Sequence, residues 1–329
     1  VLLNLFMKKI LIVVGLFATF NISSDTTIEN PTLDENQPYP VIVIHGGAGW
    51  SKGKNKQEQD AIKMGLKEAL DRGFHVLESG GSSLDAVEIA ISALEDNPLF
   101  NAGRGSVYTK DEKQEMDASI MSGKDQDAGA VASVSRVKNP IKLARYIMEH
   151  TKHVLMAGQG AEKIAKQGKL ELVDPSYFYS EEKLKRVRKQ KAKEIGTVGA
   201  LAMDKSGNIT AGTSTGGMTN KLPGRIGDSP IIGAGTWAQN NVCGVSGTGH
   251  GEYFIRYNVA REICARMEYL GLSVGEAASQ VIGQLTTMGV NGGVIVLDKN
   301  GEISMEFNTD GMARAYRNSK GEEMIAIYK

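Results

Sequence analysis

Residues 194–200 read Glu194-Ile195-Gly196-Thr197-Val198-Gly199-Ala200. Cleavage of the Gly196-Thr197 bond would turn an internal threonine into an N-terminal one. An internal threonine has a hydroxyl but no base of its own. An N-terminal threonine carries a free α-amine with a reference pKa of about 7.7–8, close enough to neutrality to take the hydroxyl proton. Nucleophile and base would then be one residue. Gly-Thr pairs are also common where a turn meets a strand, so the surroundings decide the reading.

Upstream of this pair the apolar pattern fades between Gln167 and Glu194, and Lys183 to Lys193 holds seven Lys or Arg in eleven positions. In a neutral chain this basic run reads as a solvated, mobile linker over about 168–195 rather than a nucleic-acid patch. Downstream, 197–203 and 209–215 read as strands around the turn Asp204-Lys205-Ser206-Gly207-Asn208. Helices are expected at about 251–270 and 273–288, then a hairpin turning at Asp298-Lys299-Asn300-Gly301.

In the first half, Val41-Ile42-Val43-Ile44 is a buried strand opening into His45-Gly46-Gly47-Ala48-Gly49. Helices follow at roughly 57–78 and from Ser82 or Ser83 to about Glu95, with Ser82 and Asp85 as a capping box. A loop from Pro98 to Gly105 leads to short strands at 106–110, 116–121 and 128–137, and to helices near 140–150 and 158–167. Strands flank helical pairs in both halves. The expected class is α+β, a four-layer αββα sandwich rather than a doubly wound sheet.

Bulk properties exclude several functions. The 329-residue chain has 38 Lys+Arg against 38 Asp+Glu, which offers no footprint for nucleic acid or an anionic membrane. Its 39 glycines are about 12% of the chain against about 7% ordinarily, paired beside polar residues as in tight turns and close backbone approaches. Two cysteines, Cys243 and Cys264, exclude a disulfide scaffold and a cysteine-rich zinc site while leaving room for one bridge. Near the start, Met7-Lys8-Lys9, an apolar run from Ile10 to Phe20 and the exit Asn21-Ile22-Ser23-Ser24-Asp25 fit a secretory signal peptide over residues 1–25. That run is short for a membrane span, so the expected location is periplasmic or secreted.

A dense polar run follows the suspected nucleophile: Thr213-Ser214-Thr215-Gly216-Gly217-Met218-Thr219-Asn220-Lys221-Leu222-Pro223-Gly224-Arg225-Ile226-Gly227-Asp228-Ser229-Pro230, then Gly233-Ala234-Gly235-Thr236 and Gly247-Thr248-Gly249-His250-Gly251-Glu252. With HGGAG, PLFNAGRGS and MDASIM upstream, the order and spacing resemble the plant-type L-asparaginase/isoaspartyl peptidase family of N-terminal-nucleophile hydrolases over roughly 41–329.

That resemblance implies a set of roles. Thr197 attacks the Gly196 carbonyl, leaving two chains, residues 26–196 and 197–329, and then attacks the side-chain carbonyl of L-asparagine or a β-aspartyl dipeptide. Thr215 hydrogen-bonds the nucleophile, Thr248 and Gly249 form the oxyanion hole, and Asn101 lines the pocket. Arg225 takes the substrate α-carboxylate, Asp228 its α-ammonium, and Gly251 contacts substrate through its backbone. Carbonyls of Leu94, Glu95, Asn97, Phe100, Ala102 and Arg104 correspond to a sodium-binding loop, a structural ion; no cofactor is required. The implied assembly is a homodimer of cleaved units.

Rival readings are weaker. Gly212-Thr213-Ser214-Thr215-Gly216 satisfies G-x-S-x-G, but Gly216-Gly217 and Pro223 are poor material for the helix that must follow, and His250 is the sole later histidine. GTGHGE lacks the lysine of a phosphate loop. Within the family the alternative is a glycosylasparaginase acting on N-glycan-linked asparagine.

Overall fold

The computed structural model describes residues 39–189 and 196–329. The expected signal peptide and residues 190–195 lie outside them. Strand β1 (Val41–Ala48) shows why the apolar run at its start is continuous rather than alternating. Ile42 and Ile44 enter a core shared with helices, while Val41 and Val43 enter a second core shared with another sheet. Both faces are covered, so both parities are apolar.

The remaining strands of the larger sheet are β2 (Met116–Ser122), β3 (Ala128–Val134), β4 (Leu155–Ala157), β5 (Val198–Met203) and β6 (Ile209–Thr215). The smaller sheet uses β7 (Thr236–Gln239), β8 (Cys243–Gly249), β9 (Gly292–Asp298) and β10 (Ile303–Phe307). With β11 (Gly311–Asn318) and β12 (Glu323–Tyr328), the eight-stranded order is β12-β11-β1-β5-β6-β2-β3-β4 and the four-stranded order is β10-β9-β8-β7. Segments before and after Thr197 therefore interleave: β1 pairs with β5 and β11, and β2 pairs with β6.

Helices α1 (Lys56–Glu78), α2 (Ser83–Asp96) and α3 (Pro140–His150) bury Leu66, Leu70, Val87, Ile91 and Ile141 against the large sheet. Ser82 caps α2 through Asp85 N–H at 3.1 Å. Helix α4 (Gly158–Gln167) follows where expected. On the far side of the small sheet, α7 (Val259–Leu270) and α8 (Val274–Thr287) pack Ile263, Val281 and Leu285 against Val245, Val294 and Val296. The sheets meet through Leu201, Met203, Ile295 and Leu297. The chain is a mixed α+β protein, and among its described residues no helix is long and apolar enough to cross a membrane.

Several expectations change. No strand forms at 106–110: Ser106 N–H closes a turn onto Gly103, and Val107 N–H is taken by the Asn101 side chain, so neither is free for a ladder. The helix expected at 251–270 is two, α6 (Gly251–Tyr257) and α7, broken at Asn258 in the left-handed region. The segment read as a mobile linker contains a 3-10 turn (Pro175–Phe178) and helix α5 (Glu181–Arg188). Acidic residues in the first turn of α5 and basic ones in the last complement its dipole, and Leu184 and Val187 bury a narrow apolar face against Tyr108. Cys243 and Cys264 are bonded, joining β8 to α7 across a separation of 21 residues. A cross-link closing a loop of about that length stabilises by about 3 kcal/mol.

Candidate active site

Thr197 immediately precedes β5, and register places Val198 opposite Ser214 and Asp117 opposite Thr215. The ends of β5 and β6 thereby bring Thr197 and Thr215 side by side. Thr197 Oγ1 donates to Thr215 Oγ1 at 3.2 Å, and Thr215 Oγ1 donates to the Gly196 carbonyl at 3.0 Å. Asn101 Nδ2 donates to the same carbonyl at 2.6 Å, and to Gly217 O at 2.7 Å. Gly217 N–H in turn donates to Thr215 Oγ1 at 2.9 Å. The carbonyl before the suspected nucleophile is thus held by two polar donors. Thr197 is 5% exposed, Thr215 2% and Thr248 0%, so these bonds form away from bulk water, where they are stronger.

The HGGAG turn closes the other side. Gly47 has φ +99°, and a Cβ there would sit 3.0 Å from both Gly196 Cα and Thr197 N. Glycine is required on both counts. Next to it, Ala48 N–H donates to Thr248 Oγ1 at 3.1 Å. Thr248 and Gly249 lie at the end of β8, opposite Gly293 and Gly292 of β9. The small sheet therefore delivers Thr248 to the turn that touches Thr197.

His45 is in contact with this centre, and it is no base. Burial pushes its imidazole down to about 3, with a hydrogen bond to the Thr197 backbone acting the other way. Nδ1 accepts from Gly47 N–H at 3.3 Å and Nε2 lies 3.0 Å from Ser246 Oγ, so the ring is neutral and engaged. Ser246 continues through Thr213 to Thr236, a buried hydroxyl chain between the sheets.

Gly217 also links Thr215 to a charged pocket. A Cβ there would come within 3.3 Å of Arg225 Nη1, and one on Gly251 within 2.8 Å of Asp228 Oδ1 and 2.9 Å of Arg225 Nη2. Gly251 thus keeps open the space between the two charges. Burial pushes the Asp228 carboxyl up to about 7 although Arg225 pulls it back, and its Oδ2 has no hydrogen-bond partner. A buried, unpaired carboxylate oxygen is costly unless a donor arrives, and an ammonium supplies one. Arg225 is braced by Glu252, which accepts from Nε at 2.9 Å and from Nη2 at 3.0 Å. Burial of Glu252 favours its neutral form, but the Arg225 bonds outweigh it and hold its carboxyl below the usual range. Beneath lie Lys221, donating to Glu115 O at 2.8 Å, and the buried Asp117.

The loop positions expected to match a sodium site surround two glycines at the end of α2. A Cβ on Gly103 would lie 2.5 Å from Glu95 O, and one on Gly105 1.8 Å from Phe100 O. Carbonyls of Leu94, Asn97 and Ala102 accept from Asn97, Phe100 and Gly105 N–H within the loop, which continues through Arg104. The Glu95 side chain turns inward instead, accepting from Ser214 Oγ at 2.7 Å. Ser214 therefore lies within β6, fully buried and bonded to a carboxyl, which removes the G-x-S-x-G reading.

The structure brings together Gly196, Thr197, Thr215 and Asn101 by direct bonds, Arg225, Asp228 and Gly251 around one space, and Thr248 through Ala48. Sequence reasoning missed Glu252, His45 and Gly47 as partners. All three sit inside the HGGAG and GTGHGE strings, but a brace on an arginine leaves no spacing signal of its own.

A family model described as "Asparaginase" matches residues 38–327. The chain is 44% identical over 308 residues to the isoaspartyl peptidase of Escherichia coli (strain K12), covering 88% of this chain and 96% of that protein. It is 42% identical over 284 residues to the isoaspartyl peptidase/L-asparaginase of Homo sapiens, covering 83% and 91%. The corresponding protein of Xenopus laevis is 44% identical over 287 residues, 84% of this chain and 91% of its own length. With this match spanning nearly all the described residues, the chain belongs to the asparaginase family.

Proposed function

We propose that this chain is a threonine amidohydrolase that cuts its own Gly196–Thr197 bond and then hydrolyses the side-chain amide of L-asparagine and the isopeptide bond of β-aspartyl dipeptides. The observation that carries the reading is the Gly196 carbonyl, held by Asn101 and Thr215 with the Thr197 hydroxyl bonded to the same Thr215. The names of its relatives support the substrate class.

In maturation, Thr197 Oγ1 adds to the Gly196 carbonyl carbon, and its proton is relayed by Thr215 Oγ1 to the nitrogen that departs. Asn101 and Thr215 stabilise the oxyanion. The C–N bond breaks, the nitrogen is protonated as the new α-amine, and water hydrolyses the ester to a Gly196 carboxylate. In turnover, that amine takes the Thr197 hydroxyl proton and Oγ1 attacks the substrate side-chain carbonyl. Thr248 Oγ1 and the Gly249 N–H stabilise the oxyanion, and ammonia or an amino acid departs with the proton. Water then releases L-aspartate. Arg225 and Asp228 hold the α-carboxylate and α-ammonium throughout.

The finer assignments belong to the same proposal. The two facing sheets between helix layers form the four-layer αββα sandwich of N-terminal-nucleophile hydrolases. Cleaved units pair as a homodimer. Export to the periplasm or medium is supported by the Cys243–Cys264 bond, since disulfides persist in oxidising compartments. The carbonyls crowding Gly103 and Gly105 are oxygen donors suited to a structural sodium ion, which would fix the loop carrying Asn101.

Two fragments on denaturing electrophoresis, the smaller beginning at Thr197, are the expected products. Asparagine and β-aspartyl dipeptides should exceed a glycosylasparagine in kcat/KM. A different N-terminus overturns the mechanism, and a preference for the glycosylasparagine overturns the substrate class.

The raised Asp228 carboxyl sets a pH dependence. Protonated Asp228 cannot pair with an α-ammonium, and about 7 is the free-protein value. Below it kcat/KM should fall by about tenfold per pH unit, with KM carrying the loss. Asp228→Asn should raise KM and flatten this limb. A KM constant from pH 5.5 to 8 would exclude the role.

A further inference from the structure

Helix α5 is the last described element before Gly196, and only residues 190–195 separate its C-cap, Lys189, from it. Building on the self-cleavage reading above, its docking has a consequence for that step. Lys183 Nζ donates to Pro98 O at 3.2 Å and to Gly105 O. These two carbonyls flank Asn101 on one loop, and Asn101 Nδ2 is 2.6 Å from the Gly196 carbonyl oxygen. The ammonium is largely enclosed and its bonds run to neutral carbonyls, so burial pushes it down to about 8. Three further contacts dock α5 to the same stretch. Ser180 N–H donates to Tyr108 Oη at 2.8 Å, Leu184 and Val187 pack on Tyr108, and Arg188 donates to Glu112 at 2.8 and 2.7 Å.

One loop therefore holds the proposed scissile carbonyl on one side and the chain leading to it on the other. A short tether between two fixed points narrows the positions Gly196 can sample, and attack on its carbonyl depends on that geometry. The cut removes this dependence. Thr197 stays in place through β5, paired with β1 and β6, and none of these bonds involves α5.

We propose that Lys183 is a positioning residue for self-cleavage, clamping α5 onto the Asn101 loop before the cut and having no part in turnover after it. The structure offers a direct separation of the two steps. Purified uncut wild type, Lys183→Met, Lys183→Arg and Leu184→Ala are followed by electrophoresis for first-order conversion to two fragments. Each is then assayed for kcat and KM once fully cut. Lys183→Met, which keeps the aliphatic stem, is expected to slow conversion by about tenfold or more while kcat/KM of the cut protein stays within about twofold. Lys183→Arg should recover most of the rate, and Leu184→Ala, loosening the same helix elsewhere, should slow it too.

Conversion of Lys183→Met at the wild-type rate overturns the proposal. So does an equal loss in turnover of the cut protein, which would place Lys183 in the general support of the site. A wild-type chain that stays whole overturns the self-cleavage reading itself. Wild-type cleavage with indifferent Lys183 variants sinks this inference alone.

Discussion

Thr197→Ala is expected to give a folded, full-length, inactive chain. The substitution removes the one hydroxyl that sits against both the Gly196 carbonyl's donor and, after cleavage, the substrate. It therefore abolishes the cut and the later acyl transfer together. Loss of a catalytic nucleophile costs on the order of 10⁶ in kcat, so residual activity should fall below detection. Stability should change little, because alanine keeps the β-carbon and the lost bond to Thr215 is a single neutral hydrogen bond, about 1 kcal/mol net. Thr197→Ser, which restores the hydroxyl, should cut and turn over more slowly than wild type. Electrophoresis, N-terminal sequencing and an ammonia-release assay read all three outcomes. A Thr197→Ala chain that still yields two fragments would show that another group does the cutting.

Asn101 carries the second large effect. Its Nδ2 makes the shorter of the two bonds to the Gly196 carbonyl, at 2.6 Å against 3.0 Å from Thr215. Negative charge develops on that oxygen during attack, and deletion of one such donor costs about 10²–10³ in rate. Asn101→Ala should slow maturation by that factor. Asn101→Asp separates electrostatics from packing. It preserves shape and the Oδ1 that accepts from Val107 N–H at 3.0 Å, but it turns a carboxylate oxygen toward the carbonyl. If donation matters, the aspartate variant is the slower of the two. Were it the faster, Asn101 would be a loop former and no more. Quantifying uncut chain against time decides between them.

Several parts of the fold were legible in the residues because local chemistry dictated them. Helices α1 and α2 have caps and 3.6-residue apolar spacing, and their observed bounds agree with those expected to within a residue or two. The run Val41-Ile42-Val43-Ile44 announced a strand covered on both faces. Strand β8 was not legible, although it carries Thr248 and Gly249. Cys-Gly-Val-Ser-Gly-Thr-Gly offers neither β-branched density nor alternation, and it is a strand because β7 and β9 pair with it. Helix α5 was misread for a related reason. The basic run looks like solvated linker until Tyr108 covers Leu184 and Val187, Glu112 takes Arg188 and two backbone carbonyls take Lys183.

The site divides along the same line. The candidate residues could be named from the sequence, since a threonine behind glycine, an arginine three before an aspartate and the GTGHGE string are among the motifs that carry the family resemblance. How those groups are charged and aimed was not. Burial raises Asp228 and keeps His45 neutral, and Arg225 is braced by Glu252, 27 positions away in the chain. The Gly196–Thr197 bond shows the division most plainly. The sequence by itself determined that a cut there would create a nucleophile with its own base, because that follows from covalent structure. Only the tertiary structure decided that the Gly196 carbonyl lies between Asn101 and Thr215, because burial and hydrogen bonding depend on which distant strands and loops the fold brings to one point.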